Sequence, residues 1–385
     1  MITVIGLGYV GLASALFFSA THKIMGIDTD AQRVAQLNLR QSPIKEQQMQ
    51  ERLSQLSKDD IQFFTNYQEE MQASDYVFFS LPTNFDEQTQ SFDTQALTES
   101  LKSFDKRLKK EAIFVIKSTI PLGYTERIQQ QLTHQVLFVP EFLREGTALN
   151  DSYFPSRLII GNPTSNEQTA QKVAHLYSDI IKKTPAILHM SAKEAEAVKL
   201  FSNNYLAMRV AFFNELDSLC EVSNIDSQLV IQGLSEDPRI GKGYNNPSFG
   251  FGGYCLPKDN QALISEFSNV GIESPLINGI QEANQQRIDY IAEQLKDYKT
   301  IGFYRLSMKM NSDNYRVSAT YALYQRLKEA NYSVKIYDSM YEGPDKEADL
   351  ETFATQSEVI VTNRWYEELR PYEEKVYTRD LYHEN

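Results

Sequence analysis

Residues 2–5 form a short, mainly apolar run, and Gly6-Leu7-Gly8-Tyr9-Val10-Gly11 follows at once. An apolar pattern of helical period covers about 11–20, a second strand 23–27, and that strand ends on Asp28. Glycines at this spacing alone would be weak evidence. Strand, glycine turn, helix, strand and acid in this order is the pattern of a dinucleotide-binding βαβ unit. In such a unit Gly6 permits the tight turn, Gly8 admits a pyrophosphate, and Gly11 lets helix pack on strand. The helix N-terminus supplies N–H donors and the positive end of a dipole. Asp28 would accept from ribose hydroxyls and repel a 2′-phosphate, which predicts NAD rather than NADP. A flavin is the remaining dinucleotide alternative.

Further strands at 76–81, 113–118, 136–139 and 158–161, mostly separated by helical segments, extend this unit into a mostly parallel, doubly wound sheet. From Ala192 the pattern changes. Ala195, Val198, Phe201, Tyr205, Met208, Phe212, Leu216 and Leu219 recur at steps of three and four, which predicts one long helix with a broad apolar stripe. Cys220 fits that helix as a packing residue. A helical region continues to about 235, and a glycine-rich segment covers 239–259. Helices are expected from Lys258 and over 275–296. The last ninety residues return to α/β, with strands at 300–304, 333–337 and 358–362 and a helix over 317–330. Asp338 ends its strand as Asp28 does, but no glycine fingerprint precedes it. The predicted fold is α/β: two doubly wound Rossmann-like domains joined by a long central helix. The expected segments are an NAD-binding domain (1–190), a central helical dimerisation region with a cysteine loop (191–295) and a second Rossmann-like domain (296–385).

Composition narrows the function. The 385 residues allow two or three domains, and 42% hydrophobic with 23% charged content is that of a soluble globular protein. No apolar run of about 18 residues suggests a membrane span, and no signal peptide is visible. Two cysteines far apart do not make a disulfide framework, which points to the cytoplasm. A net charge of −13 argues against nucleic acid or an anionic membrane as partner. It leaves room for a small anionic ligand in a local cationic pocket. No metal site is expected.

The candidate nucleophile is Cys255, in Phe249-Gly250-Phe251-Gly252-Gly253-Tyr254-Cys255-Leu256-Pro257-Lys258-Asp259. This reads as loop chemistry. Gly252 and Gly253 let another group approach the backbone, and Lys258 places a positive charge near the thiol. The alternative is a small buried hydrophobe. Lys199 and Asn203, four apart, share a helix face off the apolar stripe and could hold an oxyanion; the alternative is a solvated face. Residues 140–146 follow a buried strand. There Glu145 could be a general base and Glu141 a positioning or proton-handling group, or both could be ion-paired with Arg144 or other cations. Thr119 could hydrogen-bond cofactor or water, or cap a helix. Arg239, Lys258, Lys309 and Arg316 are candidate phosphate ligands or surface charges.

Gly6–Leu12, Ser80–Asn84, Lys117–Pro121, Pro140–Gly146, Ala197–Asn203, Asp237–Gly241, Tyr244–Gly250 and Cys255–Asp259 together resemble the UDP-glucose/GDP-mannose dehydrogenase family. The resemblance runs through nearly the whole chain and is closest to shorter bacterial members acting on UDP-glucose. It implies a four-electron, NAD-dependent oxidation of UDP-glucose to UDP-glucuronate. Cys255 would form a thiohemiacetal and then a thioester, which water hydrolyses. By the same resemblance Glu145 assists hydrolysis, Lys199 and Asn203 stabilise oxyanions, and Asp259 and Thr119 position a water. It assigns Tyr9, Val10, Arg33, Thr83, Glu145, Lys258 and Arg316 to the cofactor, beside Gly6, Gly8, Gly11, Asp28 and Thr119. It assigns Glu141, Phe142, Leu143, Tyr244, Asn245, Phe249, Gly252 and Lys309 to the substrate, with Lys199 and Asn203. Arg239 would reach the substrate of a neighbouring subunit, and the 192–220 helix would form a homodimer core. The last segment would then bind the UDP-sugar. Asn311 stands where relatives often carry glycine, and Gly243 where histidine is common. GDP-mannose or UDP-N-acetylmannosamine are the rival substrates. A non-catalytic NAD-binding regulatory protein is the rival class, but it would be expected to have lost the thiol, the lysine or the acid.

Overall fold

The computed structural model describes residues 1–164, 166–307 and 315–383, so Lys309 and Asn311 lie outside the described residues. The chain divides into two units, Met1–Phe201 and Ser202–Asn385.

The first unit runs β1 (Ile2–Ile5), α1 (Tyr9–Phe18), β2 (Ile24–Ile27), α2 (Ala31–Asn38), α3 (Gln47–Ser54), β3 (Ile61–Phe64) and β4 (Tyr76–Phe79). A short hairpin, β5 (Phe85–Asp86) and β6 (Ser91–Phe92), follows. Then come α4 (Gln95–Asp105), β7 (Ile113–Ile116), α5 (Tyr124–Gln129), β8 (Gln135–Phe138), α6 (Ala148–Tyr153), β9 (Arg157–Asn162), α7 (Glu167–Ser178) and β10 (Ala186–Ser191). The eight-stranded sheet has the order β10-β9-β8-β7-β4-β1-β2-β3. β9 is antiparallel to β8, and β10 follows β9 in parallel. The central strands β1 and β7 are buried on every residue because apolar clusters cover both faces of the sheet. That is why they read as largely apolar runs, with Thr3 the one polar residue between them, rather than alternating ones.

α8 (Ala192–Val222) starts in the first unit and continues into the second. It ends at Val222 rather than running on, and α9 (Ser227–Ser235) is a separate helix capped by Asp226. Next are α10 (Cys255–Asn269) and α11 (Pro275–Gln294). β11 (Thr300–Tyr304), α12 (Ala319–Glu329), β12 (Ser333–Tyr337), α13 (Leu350–Gln356), β13 (Val359–Val361) and β14 (Val376–Tyr377) complete the chain. Their four-stranded sheet is parallel, in the order β12-β11-β13-β14. Among the described residues no helix is long and apolar enough to cross a membrane.

Candidate active site

The three glycines of the first turn meet different surroundings. A Cβ on Gly6 (φ +82°) would stand 2.5 Å from the Ser80 carbonyl oxygen, and one on Gly11 would stand 1.7 Å from the Gly6 oxygen. A Cβ on Gly8 would meet nothing within 4 Å. Gly6 and Gly11 are therefore required by the chain's own packing, while Gly8 faces open space at the N-terminus of α1, where Tyr9 and Val10 begin the helix. That is the arrangement an anion at a helix N-terminus needs. Asp28 accepts from Leu7 N–H (2.8 Å), Asp30 N–H (2.9 Å) and Arg33 Nη1 (2.9 Å). Burial would raise its carboxyl, but these donors outweigh burial and hold it below the usual range. The residues present fit a dinucleotide.

The loops after β4 and β7 are tied together. Buried Thr83 donates to the Thr119 carbonyl at 2.6 Å, and Ser118 to the Leu81 carbonyl at 2.6 Å. Thr119 is not a helix cap, since α5 starts behind Gly123. Instead buried Glu196 of α8 accepts from Gly123 N–H (2.5 Å) and Thr125 N–H (2.9 Å), which anchors that helix. Glu46 does the same for α6, accepting from Ala148 and Leu149 N–H at 2.8 and 2.9 Å. Between these anchors lies the 140–147 loop. Glu141 forms the ion pair considered above, but with Lys117. Arg144 donates to Asp151 at 3.0 and 2.7 Å. Lys199 Nζ donates to the Glu141 carbonyl at 2.6 Å and stands 5.3 Å from the Phe142 ring centre. Glu145 is half-buried on the same loop, and Leu143 packs against the core.

In the second unit the expected loop at Cys255 needs correction. Cys255 is the first residue of α10, exposed, behind Tyr254. The helix expected from Lys258 thus begins three residues earlier and takes in Pro257, since a proline in the first turn loses no intrahelical hydrogen bond. The thiol thus sits at the positive end of a helix dipole, which favours negative charge there. Lys258 Nζ lies 3.0 Å from Asp259 Oδ1, so its charge is shared with that acid. Asn203 Nδ2 donates to Asp259 Oδ2 at 2.5 Å, and Asn204 Nδ2 to the Asp259 carbonyl at 3.0 Å. A Cβ on Gly252 would strike the 317–319 backbone at 2.8 Å, so the group that approaches this glycine is the chain itself.

Residues 1–181 match the UDP-glucose/GDP-mannose dehydrogenase family, NAD binding domain, and 193–286 match the central domain of that family. The chain belongs to this family. It is 39% identical to a UDP-glucose 6-dehydrogenase of Campylobacter jejuni and 36% identical to one of Streptococcus pneumoniae, each over 99% of both chains. A solved UDP-glucose dehydrogenase from Pyrobaculum islandicum is 26% identical, with a TM-score of 0.89 over 98% of this chain and 94% of that one.

Other family positions fall less simply. The Phe249 ring is fully buried against Tyr377, and its N–H goes to Asn363 at 3.1 Å. Asn245 donates to Ser235 at 2.8 Å. Arg239 is exposed and pairs with Asp237 at 2.6 Å; Arg316 is exposed beside Tyr315. Gly243 has φ +107° and exposed Tyr244 φ +54°. A histidine at Gly243 would be strained, so the departure at this position goes with the conformation of the turn. Sequence reasoning missed Arg209, which donates to the carbonyls of Ile240, Gly241 and Gly243 at 2.7–2.9 Å and fixes that turn. It also missed Lys117. Among the described residues no cluster of His, Cys, Asp and Glu could hold a metal.

Proposed function

We propose that the chain is a UDP-glucose 6-dehydrogenase, turning UDP-glucose, two NAD⁺ and water into UDP-glucuronate and two NADH with release of protons. The observation that carries this reading is an exposed thiol opening a helix, with Asp259 one turn on, in a chain whose relatives of that name match it end to end. When bound, NAD⁺ takes up the hydrides lost from C6. Gly8, Asp28 and Arg33 would hold it, with Gly6 and Gly11 shaping the turn through their packing and Thr83 and Thr119 beside them. Cys255 adds to the C6 aldehyde, and the resulting thiohemiacetal is oxidised to a thioester. Lys199 and Asn203 donate to the oxyanions. Asp259 and Thr119 place a water for proton transfer, and Glu145 promotes the water that releases the acid.

The active form on this reading is a cytoplasmic homodimer built on α8. The helix turns polar Asn203, Asn204, Asn214 and Asp217 inward. Leu200 and Phe213 are buried with them, but four large apolar residues of the stripe face out: Phe201 is 46%, Tyr205 56%, Phe212 57% and Leu219 68% exposed. A second copy would cover them, and Arg239 would reach its substrate. Sedimentation should give twice 44.2 kDa. A panel of UDP-glucose, GDP-mannose and UDP-N-acetylmannosamine, assayed by NADH release, decides the substrate. Two NADH per UDP-glucose are expected, and a higher kcat/KM for another sugar overturns the reading.

A further inference from the structure

Glu141 is held at both ends. Its carboxylate lies on the Lys117 ammonium, and its carbonyl takes the hydrogen bond from Lys199. Lys117 is buried just beyond β7 and donates to Tyr177 Oη of α7 at 2.8 Å, with its ammonium 5.2 Å from that ring. Burial holds the Lys117 ammonium well below the usual lysine range, and the charge of Lys199 pushes the same way. Lys117, Glu141, Phe142, Arg157 and Tyr177 all line one cavity of about 240 Å³. The Glu141–Phe142 segment therefore borders open volume on one side, while the Phe142 ring packs against the core beneath the Arg157 guanidinium at 4.0 Å.

A buried ion pair is a weak source of stability, and an apolar side chain of similar length could occupy the site of Lys117. What the ammonium adds is direction. It fixes the Glu141 carboxylate and so the orientation of the Glu141 carbonyl. We propose that Lys117 is a positioning residue for the reaction: acting through Glu141, it sets where the Lys199 ammonium stands. This rests on the reading of Lys199 as an oxyanion donor.

The test is a double-mutant cycle on the full chain with UDP-glucose and NAD⁺. Lys199→Ala alone probes the reading beneath the proposal, and kcat should fall by about 10²-fold or more. An unchanged kcat would remove Lys199 from the reaction, and the proposal with it. Lys117→Met should lower kcat on the order of 10²-fold, as a misplaced group does, while the Kd for NAD⁺ stays within about threefold. In the Lys199→Ala background the same change should cost less than about threefold, because the two residues act as a unit. The full loss in both backgrounds, or an equal loss of NAD⁺ affinity, overturns the proposal and leaves the role of Lys199 intact. If Lys117→Met does not fold, Tyr177→Phe removes one hydrogen bond from the ammonium. It should cost about three- to tenfold in kcat only when Lys199 is present. An equal loss in both backgrounds again overturns the proposal.

Discussion

In the first unit β1 ends at Ile5, Gly6 takes a φ of 82°, and Leu7 N–H donates to Asp28 Oδ2 at 2.8 Å, with Asp30 N–H on Oδ1 at 2.9 Å. In the second, β11 ends at Tyr304, Arg305 takes a φ of 58°, and Leu306 N–H donates to Asp338 Oδ2 at 2.8 Å, with Met340 N–H on Oδ1 at 2.8 Å. The two turns then part. α1 begins behind Gly8, which has no side chain to cap it. α12 begins behind Ser318, whose hydroxyl accepts from Tyr321 N–H and donates to the Leu306 carbonyl. The acid at the strand end is thus a folding device common to both units, and the uncapped glycine turn is what suits one of them to a pyrophosphate. The units also differ in what holds them. Two apolar clusters sandwich the first sheet. The second unit buries a charge cluster in which Asp217 accepts from Arg287 at 2.6 Å and from Arg379 at 2.9 Å.

The largest expected effect tests the division of labour. Cys255→Ala removes the proposed nucleophile, which lies in the second unit, and should lower UDP-glucuronate formation by about 10⁴-fold or more. NAD⁺ binding by calorimetry should stay within about twofold, because most of the proposed dinucleotide residues lie in the first unit. Normal uronate production would refute the thioester route, and lost NAD⁺ affinity would break the separation of roles.

Next in size is Asp217→Asn, which leaves buried Arg287 and half-buried Arg379 short of a counter-charge and should cost about 3–5 kcal/mol in urea unfolding at pH 7. Burial alone would raise the Asp217 carboxyl, but the hydrogen bonds and charges of Arg379 and Arg287 hold it below the usual range. A lowered folded pKa gives stability that is complete above the unfolded value of about 3.9 and is lost as pH falls through the folded one. The gap between variant and parent should therefore be widest near neutrality and close below about pH 4. A gap independent of pH would assign the loss to packing.

A third experiment separates the glycines. Gly8→Val should keep the melting temperature and lose about 10²-fold in NAD⁺ affinity, the value of one or two hydrogen bonds to a charged group. Gly11→Ala should fail to fold, since its Cβ would lie 1.7 Å from a backbone oxygen. Normal NAD⁺ binding by Gly8→Val would move the pyrophosphate elsewhere.

The division between legible and hidden features follows burial. Strands buried on both faces, such as β1 and β7, were readable as apolar runs. β3 alternates in burial, and β10 is largely exposed, so neither carries that signal. The reversal at β9 is set by pairing across the sheet, which local pattern does not encode. The stripe on α8 was legible in period but only partly in facing, because within a single chain Asn203, Asn204, Asn214 and Asp217 are buried beside Leu200 and Phe213 while Phe201, Tyr205, Phe212 and Leu219 are exposed. Lys117 looked like the polar end of a strand, and only tertiary contact with Glu141 and Tyr177 gives it a role.

The smallest expected effect bears on the comparison most directly. Arg305 holds a left-handed backbone that costs an L-residue about 1–2 kcal/mol, so Arg305→Gly should recover part of that. Two terms oppose the gain. Glycine adds about 0.4–1 kcal/mol of unfolded-chain entropy. The guanidinium also lies 4.6 Å from the Tyr366 ring and 3.1 Å from Glu368, contacts at a partly exposed site worth about 1 kcal/mol or less each. The net change should lie within about 1 kcal/mol of zero by chemical denaturation. Gly6 could not make the reverse exchange, because the Ser80 carbonyl stands 2.5 Å from any Cβ there. The same φ is thus an obligation in one turn and a choice in the other. A loss above about 2 kcal/mol for Arg305→Gly would show that the arginine side chain, rather than its backbone, holds the second turn.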